Sequence, residues 1–279
     1  MSLLTTIQAA ANEIGIDSPS SVINNTDATV MQLLAFLKHE GLELRTMYAW
    51  PELTKEYTFS TTASTASYAL PADFDWQIAR TQWDRTNRRE INGPVSPQEW
   101  QFRKSGLVTS STVKNFRIKG FTDTQFFIDP TPDATETLAY EYQSRNWVRP
   151  KTWVTGTAYA ASTYVWYDGT IYRNAIAGTS GGSTGPAADS GITWTAQDIV
   201  YEAPLADTDE FLLDSKLIKL GTKWRFLQQK GLEYAPIMQE WNAACKRRIA
   251  GYRGSKTITV GARAGFPFLG YLNIPDSGF

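Results

Sequence analysis

The chain has 279 residues, which is enough for one large domain or for a domain with a smaller module. A hydrophobic fraction of 42% supports a folded core, whereas one cysteine and one histidine exclude an internal disulfide and the usual zinc sites, and argue against a Ser-His-Asp or Cys-His catalytic device. The net charge of −1 hides an imbalance, because residues 216–263 hold eleven of the 27 basic residues and two of the 28 acidic ones.

No targeting or membrane-spanning segment is expected from the sequence. Residues 1–10 carry no positive charge ahead of their apolar side chains, which is unlike a signal peptide. The longest apolar run, within residues 31–37, is far shorter than the ~20 residues that a membrane span requires. We therefore expect a chain made in a reducing cytoplasm, with Cys245 as a buried thiol.

Two amphipathic helices are predicted at the start of the chain. The first spans Leu3–Ile14 and ends at Gly15, and the second is capped by Asp27 and ends before Trp50-Pro51. One side of the second helix is predicted to face a core, through Val30, Leu33, Leu37, Leu44 and Tyr48.

The hydrophobic period changes to two between residues 57 and 143, which predicts an antiparallel β section punctuated by proline and glycine turns. A short helix is predicted at residues 97–104. The predicted strands are residues 56–59, 67–70, 76–84, 89–92, 115–119, 125–128 and 137–144.

A block of different texture runs from Trp153 to Trp194. Asp168-Gly169 between two aromatic runs predicts a hairpin with a two-residue turn. In that register one face carries Val165, Tyr167 and Tyr172, which we expect to form a small core with Trp153 and Trp194. The other face carries Tyr164, Trp166, Ile171 and Arg173.

A helical hairpin is predicted after this block. Residues 207–210 (Asp-Thr-Asp-Glu) have the pattern of a capping box at the start of a helix that Gly231 ends. Pro236 fits a second helix near its first turn. The two predicted apolar stripes are Leu213, Leu217, Leu220, Trp224 and Leu227, and then Met238, Trp241, Cys245, Ile249 and Tyr252.

Residues 255–279 are too apolar for a solvated linker and too interrupted by glycine and proline for a domain. A partner surface resolves both problems, for example when an extended segment adds to a sheet edge. The residues predicted to dock are Thr257, Ile258, Val260, Phe266, Phe268, Leu269 and Tyr271.

These elements predict an α+β fold, in which the N- and C-terminal helices form a bundle beside the antiparallel β section. The predicted units are a discontinuous core of residues 1–150 and 198–254, an inserted all-β module of residues 151–197, and the extended tail of residues 255–279.

The basic residues near the end of the second helix have two interpretations. Lys246, Arg247, Arg248 and Arg253 could contact DNA or a neighbouring subunit, and basic residues late in helices also suit the helix dipole.

The carboxylate groups at Asp73/Asp75 and at residues 207–210 lack the arrangement across a cleft that a hydrolase needs. We therefore expect no catalysis, metal or cofactor.

Three motifs carry a resemblance. They are Arg145-Asn146-Trp147-Val148, the acidic residues 207–210, and residues 220–227 (LGTKWRFL) with residues 230–235 (KGLEYA). Together they resemble the head-to-tail adaptor, or head-completion, proteins of tailed bacteriophages over residues 1–150 and 198–279. The resemblance implies a dodecameric ring between the portal and the tail, with the C-terminal segment reaching the portal and with no enzymatic activity.

The inserted block is similar to small carbohydrate-binding modules of the chitin-binding 5/12 type. The matching positions are Trp153, Tyr159, Val165, Tyr167, Gly169, Tyr172 and Trp194. The exposed tryptophan pair of that family has no counterpart here, because residues 173–178 occupy the equivalent stretch. Tyr164 and Trp166 are the residues left for stacking on a glycan, and the alternative is that they pack on the host domain or a neighbouring subunit.

The leading hypothesis is a structural protein of the virion neck that binds itself, the portal and a tail or nozzle protein, and touches the passing genome weakly. The alternative is a carbohydrate-binding protein of the virion surface that acts through Tyr164 and Trp166.

Overall fold

The computed structural model describes residues 1–105, 113–120, 124–182, 184–197 and 199–252. Within these ranges the chain combines helices with antiparallel sheets, which confirms the predicted α+β class. The helices are α1 (Leu3–Ile14), α2 (Ala28–Met47), α3 (Pro97–Ser105), α4 (Ser215–Gln229) and α5 (Ala235–Tyr252). Short 3-10 turns occupy Pro51–Leu53 and Pro186–Ala188. None of the described helices is long and apolar enough to span a bilayer.

The strands divide between the β section and the inserted block. In the β section they are β1 (Thr54–Ser60), β2 (Ser67–Ala69), β3 (Phe74–Gln77), β4 (Trp83–Asp84), β5 (Arg89–Glu90), β6 (Asn115–Lys119), β7 (Gln125–Asp129) and β8 (Thr137–Ser144). After it come β9 (Val148–Arg149), β10 (Ala158–Tyr159), β11 (Tyr164–Tyr167), β12 (Thr170–Asn174), β13 (Gly178–Thr179), β14 (Trp194–Gln197) and β15 (Glu210–Phe211).

Helix α4 packs against α1, α2 and α5, so helices from both ends of the chain form one bundle. The predicted ends of α1 and α2 are confirmed. Gly15 adopts a φ of +79° after α1, and the Asp27 carboxylate accepts hydrogen bonds from the N–H groups of Thr29 and Val30 at 2.8 and 3.0 Å. The ends of α1 and α2 are therefore set by residues that the sequence alone identifies.

Two glycines allow unusually close contacts in this bundle. A Cβ atom at Gly221 of α4 would lie 2.0 Å from the Glu40 carboxyl carbon, and one at Gly41 of α2 would lie 2.2 Å from the Trp147 ring. Trp147 is fully buried and stacks on Phe211, with ring centroids 5.7 Å apart. A side chain at either glycine would therefore force α2 away from its neighbours.

The predicted capping box at residues 207–210 is wrong. Helix α4 begins later, at Ser215, and its cap is Asp214, whose carboxylate accepts a hydrogen bond from the Lys216 N–H at 2.9 Å. Glu210 lies in β15 instead. The other two carboxylates bind loop N–H groups, those of Val22 and Ile23 for Asp207 and those of Leu205 and Ala206 for Asp209.

The rest of the predicted helical hairpin is largely confirmed. Gly231 ends α4 with a φ of +69°, and Pro236 lies in the first turn of α5. Trp241 and Cys245 are buried, as the predicted stripe requires. Met238 was placed wrongly on that stripe, because its side chain is 38% exposed at the start of the helix.

The β section is built from two sheets that enclose an aromatic core. One sheet has the order β1-β8-β4-β5 with β3 also paired to β8, and the other has the order β2-β7-β6. Between them Phe126 stacks on both Phe116 and Tyr140, with ring centroids 4.8 and 5.4 Å apart. These aromatic contacts join the two sheets into one layered unit.

The single strand predicted at residues 76–84 is wrong. β3 and β4 both pair with β8, at Tyr142–Ser144 and at Leu138–Ala139, and the chain leaves the sheet between them. Arg80 has a φ of +63° there, which is incompatible with a continuous strand. The other predicted strands of this section differ from the observed bounds by at most two residues.

The inserted block forms the predicted hairpin. Tyr167 pairs with Thr170 and Val165 with Tyr172, while Asp168 and Gly169 both have positive φ, as this two-residue turn requires. β12 also pairs with β14, and β10 pairs with β13. The small core is confirmed, and it consists of Trp153, Val165, Ile192 and Trp194 with Tyr159, Tyr167 and Tyr172 packed against it.

Candidate interaction surfaces

Most of the basic residues of α4 act inside the bundle. Lys219 and Lys223 each place Nζ 2.6 Å from the Glu13 carboxylate of α1. Arg225 binds Glu40, whose side chain is fully buried, with Nε 2.9 Å from Oε2. Burial raises the pKa of Glu40 despite this arginine. These charges hold helices together rather than face a partner.

The predicted contact residues at the end of α5 fall into two groups. Arg248 forms an ion pair with Glu52 at 2.9 Å, and the Tyr252 hydroxyl also binds Glu52, so this part of α5 is fixed to the segment that leads into β1. Lys246 and Arg247 are exposed and form no ion pair with any described residue. Arg253 lies outside the described residues.

Tyr164 and Trp166 lie between the inserted block and the bundle side of the molecule. The Arg149 guanidinium is 4.4 Å from the centroid of the Trp166 ring and is itself paired with Glu210 at 2.9 Å. The Tyr164 ring meets Tyr201 edge-on at 6.3 Å. Both side chains therefore contact other parts of their own chain.

The predicted docking tail, residues 255–279, lies outside the described residues. Its proposed contact residues Thr257, Ile258, Val260, Phe266, Phe268, Leu269 and Tyr271 are therefore known from the sequence alone.

The carboxylates considered for catalysis have structural partners. Asp73 accepts hydrogen bonds from Lys55, Tyr142 and Ser144 at 2.7, 2.8 and 2.5 Å. Although burial alone would raise its pKa, these partners hold the pKa of Asp73 below its ordinary value. Asp75 pairs with Arg45 at 3.0 Å. Among the described residues, no cluster of three or more His, Cys, Asp or Glu side chains is placed to hold a metal ion.

Sequence reasoning missed a surface on the open face of the five-stranded sheet. Trp76 and Trp83 are each 36% exposed there, and Trp83 lies beside a cleft of about 600 Å³ rimmed by Arg80, Arg85 and Arg88. The available signal was four arginines within residues 80–89, interleaved with a tryptophan. The prediction of one strand over residues 76–84 concealed the turn that residues 78–82 form between β3 and β4 at the sheet surface.

The comparisons with known proteins bear on the same elements. A search of curated proteins gave no match. A model of the family described as SU10 adaptor protein matches residues 1–197, a range that includes α1, α2, the β section and the inserted block. The match covers well over half of the chain. It runs through the inserted block and ends before residues 207–210 and 220–235, so two of the three motifs that carried the resemblance lie outside the matched range. The chain belongs to the SU10 adaptor protein family and is a structural adaptor of a bacteriophage.

Proposed function

We propose that this adaptor forms a dodecameric ring in the virion neck, where it joins the portal to a tail or nozzle protein and surrounds the path of the genome. The observation that carries the proposal is the family match over residues 1–197. The chain would be made in the host cytoplasm and incorporated into the particle.

The unit that builds the ring is the discontinuous core of residues 1–150 and 198–254. Its helices from both ends of the chain share one apolar core, which includes Leu37, Trp147 and Leu220. Such a bundle supplies a rigid body for contacts between subunits, because its own ion pairs already tie α1 and α2 to α4.

Residues 255–279 are proposed to dock on the portal. The support is their composition, together with the position from which they leave the described structure. Helix α5 ends at Tyr252, whose hydroxyl binds Glu52, so the last described residue ahead of the tail is tied to the segment that precedes β1. An anchored α5 lowers the entropic cost of docking a segment that follows it.

Contact with the genome is proposed to be weak. Lys246 and Arg247 are the exposed basic residues of α5 that lack an ion pair among the described residues, and Arg253 follows them in the sequence. A few such charges favour weak, salt-sensitive contact with DNA phosphates that does not obstruct passage of the genome. The alternative is that the same charges contact a neighbouring subunit.

We propose that the inserted module of residues 151–197 is architectural. In this proposal it shares a sequence pattern with chitin-binding modules but does not bind a glycan. The contacts of Trp166 with Arg149 and of Tyr164 with Tyr201 support a role for both aromatic residues in holding the module on the core. Binding of the full chain to chitin or peptidoglycan, lost in Trp166→Ala, would instead support the carbohydrate-binding alternative.

The experiment that tests the proposal is sedimentation and electron microscopy of the full chain with the purified portal of the same phage. We expect a stable complex in which the chain forms a ring, and we expect a variant that ends at residue 254 to lose portal binding while it keeps its fold. A chain that stays monomeric with the portal present, or a truncated variant that binds equally well, would contradict the proposal.

A further inference from the structure

The cleft beside Trp83 has a floor of sheet residues and a rim of arginines. Trp83 of β4 pairs with Ala139 of β8, and Ala139 and Tyr140 are among the residues that line the cleft. Tryptophan and arginine are the side chains most enriched at the energetically dominant positions of protein interfaces. This composition is typical of a protein contact rather than of a small-molecule pocket.

The charges of the cleft are not balanced within the chain. Arg85 is paired with Glu56 at 2.7 Å, and the Asp84 carboxylate is bound by Lys114. Arg80 and Arg88 have no ion pair or hydrogen bond with any described residue. Two guanidinium groups therefore face one remaining carboxylate, Glu141, so the cleft favours an additional negative charge.

The same two arginines lie on unusual backbone. Arg80 and Arg88 have φ values of +63° and +54°, in a region that residues other than glycine rarely adopt. Strained backbone of this kind clusters at active sites, ligand clamps and switch regions.

A complementary corner exists elsewhere on the molecule. Of the described residues, four exposed carboxylates have neither an ion pair nor a hydrogen bond: Asp17, Asp133, Asp168 and Glu233. Glu233 alone among these four has an exposed large apolar residue next to it in the sequence, Leu232, which is 54% exposed. The turn between α4 and α5 thus presents an apolar group and a negative charge together.

This corner lies far from the cleft of its own subunit. Helix α5 has 18 residues and is about 27 Å long. Its last residue, Tyr252, touches Glu52 just ahead of β1, so its first turn lies at the opposite end of the bundle from the β section. The corner can reach a Trp83 cleft only on another copy, which is a head-to-tail contact of the kind that closes rings.

We propose that the Trp83 cleft is part of the contact between neighbouring copies and receives the α4–α5 corner of the next subunit. Leu232 packs on the Trp83 indole and Glu233 lies between Arg80 and Arg88. This assignment rests on the proposed self-association of the adaptor, and it names the two surfaces that meet.

Charge exchange tests the contact. Arg88→Glu and Glu233→Arg should each weaken self-association of the full chain about tenfold in sedimentation velocity, since charge pairs at an interface couple strongly. The variant that carries both changes should recover most of the loss. The matched controls Lys151→Glu and Asp17→Arg, at exposed residues whose side chains form no ion pair or hydrogen bond with any described residue, should behave as the natural chain, and Asp17→Arg should not rescue Arg88→Glu.

A second measurement tests the same contact by disulfide cross-linking. A chain carrying Arg88→Cys and Glu233→Cys should form a ladder of disulfide-linked multimers on oxidation, whereas Arg88→Cys with Asp168→Cys should not. If the natural chain assembles and neither charge reversal weakens the assembly, this contact is wrong, but the ring proposal stands. A natural chain that stays monomeric at all concentrations would overturn the ring proposal as well.

Discussion

The bundle and the inserted module each contain a carboxylate with structural partners, but the partners differ in kind. Glu40 of the bundle is fully buried and has one cationic partner, Arg225, at 2.9 Å. Asp189 of the module accepts hydrogen bonds from the N–H groups of Gly181, Gly191 and Ile192 and from the Trp194 indole. The bundle therefore has a buried ion pair within apolar packing. The module instead has one acceptor, Asp189, on which several hydrogen-bond donors converge, and we call this arrangement the Asp189 hub.

The difference follows from size. The bundle buries enough apolar surface to tolerate a desolvated charge, provided that its partner remains. The module has a core of few side chains, so it gains specificity from donors that converge on one acceptor. In both units a glycine allows a close approach. Gly221 lets Glu40 lie close to α4, and a Cβ atom at Gly191 would lie 2.0 Å from the Thr179 carbonyl oxygen.

The largest expected effect comes from removing the partner of Glu40. Arg225→Met should lower the free energy of unfolding by about 4 kcal/mol, because it leaves a carboxylate unpaired in the bundle. Chemical denaturation followed by circular dichroism measures this. The added change Glu40→Gln should recover part of the loss, and a double variant as unstable as Arg225→Met would show that the charge is not the cause.

A somewhat smaller loss is expected when α2 is moved away from its neighbours. Gly41→Ala should destabilise the chain by about 3 kcal/mol, because the new methyl group would overlap the buried Trp147 ring. Gly251→Ala is the matched control in α5, where a Cβ meets nothing within 4 Å. Equal melting temperatures for the two variants would show that the close approach of α2 is unimportant.

In the module, loss of the hub should act locally. Asp189→Ala should destabilise residues 151–197 by about 2 kcal/mol, because several N–H donors lose their acceptor. Hydrogen exchange should show faster exchange at Gly181, Gly191 and Ile192, with the bundle unchanged. Asp133→Ala, which removes an exposed carboxylate without partners among the described residues, should leave exchange as it is. Faster exchange throughout the chain would contradict the view that the module is stabilised separately.

The smallest effect is a pH dependence of opposite sign in the two units. Burial alone would raise the pKa of Asp189, but its hydrogen bonds hold the pKa below the ordinary value, so its stabilisation is present at neutral pH and is lost as the pH falls through the folded-state pKa. Burial raises the pKa of Glu40, so its protonation in acid favours the folded bundle. Exchange measured from neutral to acidic pH should therefore show the module opening first, and Asp189→Asn should flatten that response. A module that gains stability in acid would contradict this assignment.

Features set by neighbouring residues were predictable from the sequence. Gly15, Gly231 and the Asp168-Gly169 turn each have a local conformational requirement that the residue type reveals, and the structure has all of them. The module core also followed from alternation in one hairpin. These signals need no knowledge of the rest of the chain.

Features set by distant residues were not predictable. Asp207 looks like a helix cap in sequence, but its carboxylate binds the backbone of Val22 and Ile23, 185 and 184 residues away. The break at Arg80 depends on how β8 pairs with two short strands in succession. The Trp83 cleft was missed for the same reason, because its floor and its rim come from separate parts of the chain.

Imaging of the assembled virion neck at side-chain resolution tests the central claim most directly. The account predicts a ring of this chain between the portal and the tail, with residues 255–279 against the portal and the Trp83 cleft in contact with the neighbouring copy. A chain found outside the neck, or present as single copies whose residues 255–279 pack on their own subunit, would contradict it.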